Sequence, residues 1–377
     1  MQPRAWAAMQ NAPTRPAASK QGAKLLLARM GLCSLPHRVL LTCLAVVVQS
    51  FMLLQCSLLY VRLLWRHRGE LHARRADGND ADVPSADAKI SCIVMVRNEE
   101  AKIRAVLRCL ASTVAHPGCF EVVVVDSGCT DNTMTAAQAE AAQHTASFAT
   151  LVTTASAPGR GAALDAGSAV ASGEIIFVLH ADCVVPPSWD TMIRQGLGQP
   201  GVLATAFRFQ LNQEELQAGG QGLPGGGVME YTVHLRATAL QLPFGDQGLA
   251  LRTKVLASFG GWGGAAYPLL EDFQLVQKLR VAGAQGRGRI VEIGTVEHTL
   301  RCSPRRWLRL GIWRINLVNQ LVMLWYQHGG GTPQQLFDFY YGIRTDHVPG
   351  WLAVLTAPLM PKGHGAAAAK ENKKKGA

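Results

Sequence analysis

The chain has few charges for its length and no repeat. Only 17% of its 377 residues are Asp, Glu, Lys or Arg, against 48% apolar residues, which excludes a disordered chain and allows a large core. Its nine cysteines are scattered, with no CxxC and no Cys/His group at zinc-ligand spacing. That excludes a disulfide framework of the small secreted kind and a zinc module. No GxGxxG follows the first predicted strand and no GxxxxGK[ST] occurs, so nicotinamide-binding and P-loop readings lose their main support. Acidic residues are missing altogether from residues 1–38, which hold Arg4, Arg15, Lys20, Lys24, Arg29 and Arg38.

That asymmetry decides what the net charge of +11 means. Residues 1–38 carry +6, residues 62–75 carry +4, and the tail from Lys362 carries +4, so residues 76–361 carry −3. A nucleic-acid binder needs its positive charge on the folded surface that meets the phosphates. Here the charge lies at the ends of the chain, and no nucleic acid is expected as a partner.

Charge is also absent from Val39 to Val61, 23 residues bracketed by Arg38 and Arg62. As a helix they span about 34 Å, enough to cross a hydrocarbon core of about 30 Å. A retained single-pass anchor fits this length better than a signal peptide, whose apolar region is shorter and nearer the terminus. The basic first 38 residues also fit a transit peptide. Basic residues are nearly balanced on the two sides of the span, so its orientation stays open. Lys374–Lys375 near the end resemble a dilysine retrieval signal. The expected location is an endomembrane (ER or Golgi) or organellar membrane, with the side of the soluble part unresolved.

The expected organisation is a basic tail (1–38), a transmembrane helix (39–61), a polar linker (62–88), a catalytic-type domain (89–342) and a Lys-rich C-terminal tail (343–377). From Lys89 the pattern alternates. Apolar runs at 89–96, 121–125, 151–154 and 174–179 read as buried strands, separated by helical spacing at 99–110, after Asp131, and at 159–171. This predicts an α/β fold, a mostly parallel sheet with helices on both faces. Further on, Gly219–Gly227 reads as a loop, Gly245–Leu251 as a strand and Leu270–Arg280 as a helix. Pro304–Gln327 reads as one long amphipathic helix whose face of Trp307, Leu310, Trp313, Leu317, Leu321 and Leu324 packs on the domain or lies on a bilayer. Trp351–Met360 is too short to span a membrane.

Ligands of an open parallel sheet bind at the carboxyl ends of its strands. Those ends carry Arg97-Asn98-Glu99-Glu100, then Asp126 to Asp131, then His180-Ala181-Asp182. Asp126 is placed to accept hydrogen bonds from a ribose or base, or to close a turn, for which Asp131 is the better candidate. Imidazole and carboxylate at His180 and Asp182 suit Mn²⁺ or Mg²⁺ bridging a diphosphate. Arg160, between glycines at a helix start, is a candidate phosphate or base contact. Glu271 and Asp272 suit a helix N-terminus, and equally a general base.

The ordered set VMVRNEE, VVVVDSGCTD, APGRGAALDAG, IIFVLHADC, PFGDQGLALR, LLEDFQL and SPRRW, over about residues 89–342, resembles the family 2 glycosyltransferases, most closely a bacterial-type branch with an LHAD turn and a GDQG segment. The resemblance implies a GT-A fold, a nucleotide-sugar donor, a divalent cation and hexosyl transfer with inversion at the anomeric carbon. It places Asp126, Arg160, Asn98 and Glu99 at the nucleotide, Asp182 and His180 at the metal, and Asp272, supported by Glu271, as the base. Gly245, Asp246, Gln247, Arg306 and Trp307 would line the donor-sugar and acceptor side. His180 stands where the family's DxD has its first Asp. Ser303 stands where processive synthases have Gln before their RW pair, which argues against processivity. The anchor favours a lipid-linked acceptor. Two other readings stand beside this one: an inactive membrane-tethered nucleotide-sugar binding or scaffold protein, and a nucleotidyltransferase. The second would want a glycine-rich basic loop after strand one, where this chain has Arg97-Asn98-Glu99-Glu100.

Overall fold

The computed structural model describes residues 37–73, 84–340 and 348–350, apart from residues 86, 146, 148, 149, 158 and 219–221. Residues 1–36, the stretch 351–360 and the Lys-rich end lie outside the described residues, as does Pro158 of the loop before Arg160. The chain forms two compact units: Met1–Met52 with Gly222–Met229 and Arg305–Ala377, and Leu53–Gln221 with Glu230–Pro304. The boundary at Pro304 falls inside the stretch 89–342.

Helix α1 (His37–Ala73) contains no proline, so it continues beyond Val61 through residues 62–73 instead of giving way to a linker there. Its Thr42–His67 portion, 26 residues that include an 18-residue stretch with a mean hydropathy of 1.9, is long and apolar enough to cross a membrane. Val47, Phe51, Leu54, Leu58, Val61 and Trp65 are exposed at alternating spacings of four and three, which puts them on one face of the helix.

In the second unit, β1 (Ile90–Val96), α2 (Glu100–Thr113), β2 (Phe120–Asp126), α3 (Thr133–Ala141), β3 (Thr150–Ala155), α4 (Arg160–Val170) and β4 (Ile175–His180) follow in order. The four strands sit where the apolar runs predict them, to within a residue or two. Then come β5 (Cys183–Val184), α5 (Trp189–Leu197), β6 (Val202–Phe207), β7 (Phe209–Leu211), α6 (Gln213–Ala218) and α7 (Gly226–Ala239), whose residues from Glu230 on belong to this unit. A 3₁₀ turn (Gly245–Gln247) precedes β8 (Leu249–Arg252), followed by α8 (Thr253–Ser258), α9 (Glu271–Ala284), β9 (Arg289–Ile293) and β10 (Leu300–Cys302). The glycine-rich loop therefore ends earlier than expected, because Gly226 and Gly227 open α7. The stretch 245–251 is a turn plus a short strand, because Gly248 (φ +63°) leaves extended geometry.

The main sheet has the order β3-β2-β1-β4-β8-β6-β9. Every neighbouring pair is parallel except β4–β8 and β6–β8, so β8 alone runs the other way. A second sheet, β5-β10-β7, is small. β1 and β2 are buried on both faces, which is why they read as continuous apolar runs. On one face Trp189 of α5 meets Phe120 edge-on at 5.3 Å and stacks on Phe177 at 5.4 Å. Val125, five residues beyond Phe120, points to the opposite face. There it meets Gly167 of α4, where a Cβ would lie 2.7 Å from Ile93 and 2.9 Å from Val125. Helices thus cover both faces, as the sequence predicts.

In the first unit, α10 (Arg305–Leu310) and α11 (Ile312–His328) replace the single helix expected over 304–327, and α12 (Pro333–Tyr340) follows. Gly311 at φ +84° breaks the expected helix. The buried apolar positions of α11 are Ile312, Ile315, Val318, Leu321, Val322 and Trp325, with Asn316 and Gln320 buried among them. Of the six residues expected to form its apolar face, only Leu321 is buried; Trp313, Leu317 and Leu324 lie off the buried side of α11.

Candidate functional site

The sheet order reverses between β1, which continues toward β2 and β3, and β4, and a crevice at the strand ends follows from that switch. After β1, Asn98 adopts φ +56°, a left-handed conformation that Asn tolerates better than most residues. Its Oδ1 accepts from the Thr130 backbone N–H at 2.7 Å and the Thr130 hydroxyl at 3.3 Å, tying the loop after β1 to the loop after β2. The Glu99 side chain is buried, and its backbone N–H donates to the Thr133 hydroxyl at 2.9 Å. Asp126 ends β2, half-buried, and its Oδ1 accepts the N–H groups of Gly128 and Cys129 at 2.9 and 2.7 Å. Both acids of this loop therefore close turns, since Asp131 accepts from the Thr133 N–H at 3.1 Å and from its hydroxyl at 2.5 Å.

Arg160 opens α4, but the helix end is not an open anion site. The N–H of Arg160 donates to the Pro268 carbonyl at 3.4 Å and that of Gly161 to the Tyr267 carbonyl at 3.2 Å. The guanidinium instead reaches two other site residues. Its Nε donates to Glu271 Oε1 at 2.5 Å and its second terminal nitrogen to His180 Nε2 at 2.9 Å. Burial, with the Arg160 charge adding to it, pushes His180 down to about 3, so the imidazole is neutral at physiological pH. Its Nε2 lone pair is engaged by Arg160.

Glu271 and Asp272 begin α9, after Leu270 at φ +70°. Glu271 is fully buried. Burial lifts its carboxyl to about 7, although Arg160 pulls it down, and Asp272 raises it further. Its Oε2 is buried without a hydrogen bond among the described residues. Asp272 is half-buried; its Oδ2 accepts from the Gly245 N–H at 2.6 Å and its Oδ1 from the Phe273 N–H at 2.7 Å. Around Gly245 the site closes tightly. A Cβ there would lie 2.8 Å from Asp272 Oδ2, 3.0 Å from the Arg160 guanidinium and 3.4 Å from His180 Nε2.

Asp246 carries a buried oxygen, Oδ1, without a hydrogen bond among the described residues; burial raises its carboxyl, while Arg236 pulls it down. Gln247 is fully buried and its amide is consumed by the fold. It accepts from Arg236 at 3.2 Å and donates to the Phe207 carbonyl at 3.1 Å. It holds the turn and does not face open space, contrary to the donor-lining place expected of it. Arg306 and Trp307 lie on α10 in the first unit, where the Arg306 guanidinium sits 4.5 Å from the centre of the Tyr340 ring.

The ligand atoms of His180, Asp182 and Cys183 lie within 4.8 Å of one another. For a hard cation only the Asp182 carboxylate is a ready ligand: His180 Nε2 already accepts from Arg160, and a protonated thiol is a poor ligand for Mn²⁺ or Mg²⁺. Cys183 and Cys302 place their sulfurs 2.9 Å apart. Sequence reasoning missed Cys183, Cys302 and Arg236. Cys183 directly follows the LHAD turn, a position that could have marked it. Arg236, in the last turn of α7 with its guanidinium 3.5 Å over the Phe244 ring, gives no sequence signal.

Residues 91–257 match the family model described as glycosyl transferase family 2. That stretch, less than half of the chain, runs from β1 into α8. It includes Asn98, Asp126, Arg160, His180, Asp182 and Gly245–Gln247 and stops short of Glu271 and Asp272. Among curated proteins none matches the chain. A mannosyltransferase from Pyrobaculum calidifontis, in complex with GDP-Man and Mn²⁺, aligns over 88% of this chain and 91% of its own, at 19% identity and a TM-score of 0.49. Glucosyl-3-phosphoglycerate synthase from Mycobacterium tuberculosis, in complex with Mn²⁺, UDP and glucosyl-3-phosphoglycerate, aligns over 63% of this chain and 81% of its own, at 21% identity and a TM-score of 0.39.

Proposed function

We propose that the chain is a membrane-anchored, inverting glycosyltransferase that moves a hexosyl group from a nucleotide-sugar donor to a hydroxyl acceptor. The observation that carries this reading is the convergence of Arg160, His180, Glu271 and Asp272 around Gly245 at the carboxyl edge of the sheet. The family match over residues 91–257 supports the same chemistry. The apolar Thr42–His67 portion of α1, with its exposed stripe, supports the anchor, and an anchored enzyme suits a lipid-linked acceptor.

In this reading Asp126 faces the nucleoside with the carboxylate edge its turn leaves over, and Asn98 and Glu99 hold the loop that shapes that end. Arg160 lies beside the diphosphate, where its charge stabilises the leaving group. Asp182 would hold the divalent cation, with the neutral His180 beside it. When bound, the cation offsets the charge that develops on the nucleoside diphosphate. Asp272 takes the proton of the acceptor hydroxyl as that oxygen attacks the anomeric carbon from the face opposite the leaving group. Glu271 fixes Arg160. Asp246 lines the sugar side, and Gly245 keeps the space between base and donor free of a side chain.

The test measures thermal unfolding of the full-length protein against a panel of nucleotide sugars, followed by turnover of Asp272→Asn with the donor that binds. A ligand at 100 times its dissociation constant adds about 2.7 kcal/mol of stability. Asp272→Asn is expected to lower turnover by roughly 10² to 10⁴ with donor binding kept. A near-normal rate removes Asp272 from the role. No stabilisation by any nucleotide sugar would put the scaffold reading ahead.

A further inference from the structure

Cys183 and Cys302 take no part in the transfer proposed above, yet the fold brings them together from positions 119 residues apart. Cys183 lies on β5 and Cys302 directly opposite it on antiparallel β10. In the next pair along, the Ser303 N–H donates to the Asp182 carbonyl at 3.2 Å. Hydrogen-bonded and non-hydrogen-bonded pairs alternate, so the cysteines occupy a non-hydrogen-bonded pair. Opposing Cα atoms there are about 4.5 Å apart, inside the roughly 4.4–6.8 Å that a disulfide requires. The two sulfurs already lie 2.9 Å apart, and both side chains are buried, at 1% and 4% exposure.

We propose that Cys183 and Cys302 are oxidised to a disulfide in the mature protein, stapling β5 to β10. The two thiols react with an acceptor disulfide, of a thiol-oxidase protein or a small molecule. One Cys183–Cys302 S–S bond forms, the acceptor S–S bond breaks, and both protons and two electrons leave as two acceptor thiols. Because both sulfurs are buried, the exchange takes place before β5 and β10 close over them. This unit therefore folds in an oxidising compartment. The staple would sit next to Asp182, which immediately precedes β5. It would also sit against the Asp246 loop, whose carbonyl takes the Cys302 S–H at 3.0 Å in the thiol form. Losing that weak donor costs little.

The test is independent of the transferase reading. Full-length protein is extracted from its own membranes into denaturant with excess N-ethylmaleimide, digested without reductant and analysed by mass spectrometry. A linked peptide pair holding Cys183 and Cys302, two hydrogens lighter than the free pair, is the expected result. Both residues carrying maleimide, or either paired with another cysteine, overturns the proposal. Thermal unfolding of the same protein with and without reductant reads the staple itself. The wild type is expected to lose roughly 5–15 °C on reduction. The Cys183→Ser/Cys302→Ser variant should unfold near the reduced wild type and ignore reductant. A linked pair whose reduction leaves the midpoint unchanged overturns the stapling role.

Discussion

Replacing Glu271 with Gln should make the protein more stable, and increasingly so as pH rises. Glu271 has no exposed surface, and burial lifts its carboxyl from an ordinary 4.5 to about 7. Between those values the native state binds more protons than the unfolded chain, so wild-type stability falls as pH rises through that window. At about 1.4 kcal/mol per pH unit, the loss reaches roughly 3 kcal/mol by pH 8. A glutamine has the same shape and no proton to lose. At pH 5 both side chains are neutral and Arg160 faces an uncharged partner in either protein, so the two should unfold at similar temperatures. At pH 8 only the wild type carries a buried carboxylate, and the variant should unfold roughly 6–12 °C higher. The assay is thermal unfolding of both full-length proteins at half-unit steps from pH 5 to 8, read as their difference, in which the titrations of other groups cancel. A flat difference would refute the reasoning. That flat difference would mean that Arg160 holds Glu271 ionised across the whole range.

Gly245→Ala puts a methyl group 2.8 Å from Asp272 Oδ2 and 3.0 Å from the Arg160 guanidinium. It should lower kcat/KM at least tenfold while far-UV circular dichroism stays that of the wild type. Asp182→Ala should remove any Mn²⁺-dependent part of the stabilisation by a nucleoside diphosphate, measured by thermal shift with and without chelator; an unchanged metal response places the cation elsewhere. Trp189→Ala empties the aromatic cluster shared with Phe120 and Phe177 and should cost about 3–5 kcal/mol in denaturant unfolding.

The first half of the soluble chain was legible because β1, β2 and β4 are buried on both faces, and such strands can only be apolar throughout. Beyond Pro187 the same rule has nothing to act on. β7 and β10 are three residues long, and β9 is an edge strand whose first residue, Arg289, is exposed. β6 buries Thr205 among its apolar residues. The break at Gly311 was hidden because the residues on either side keep helical composition and only the backbone sign at one glycine separates them. In the site, the residues that directly follow a strand were legible. Their partners were not. The link from Arg160 to both Glu271 and His180 joins three distant segments, and nothing in any one of them announces it.

The single reversed strand changes where a reader of this sequence should look. β1, β2 and β4 deliver their working residues after the strand, at the end the chain leaves by. β8 runs the other way, so the same edge of the sheet meets it at the end by which the chain enters. Gly245, Asp246 and Gln247 precede β8 for that reason, and the position equivalent to theirs on a parallel neighbour comes downstream. Residues just past β8, by contrast, land on the far edge with α8 and can vary for packing alone. Substitutions at Thr253 and Lys254 should therefore trade against stability, and those at residues 245–246 against rate.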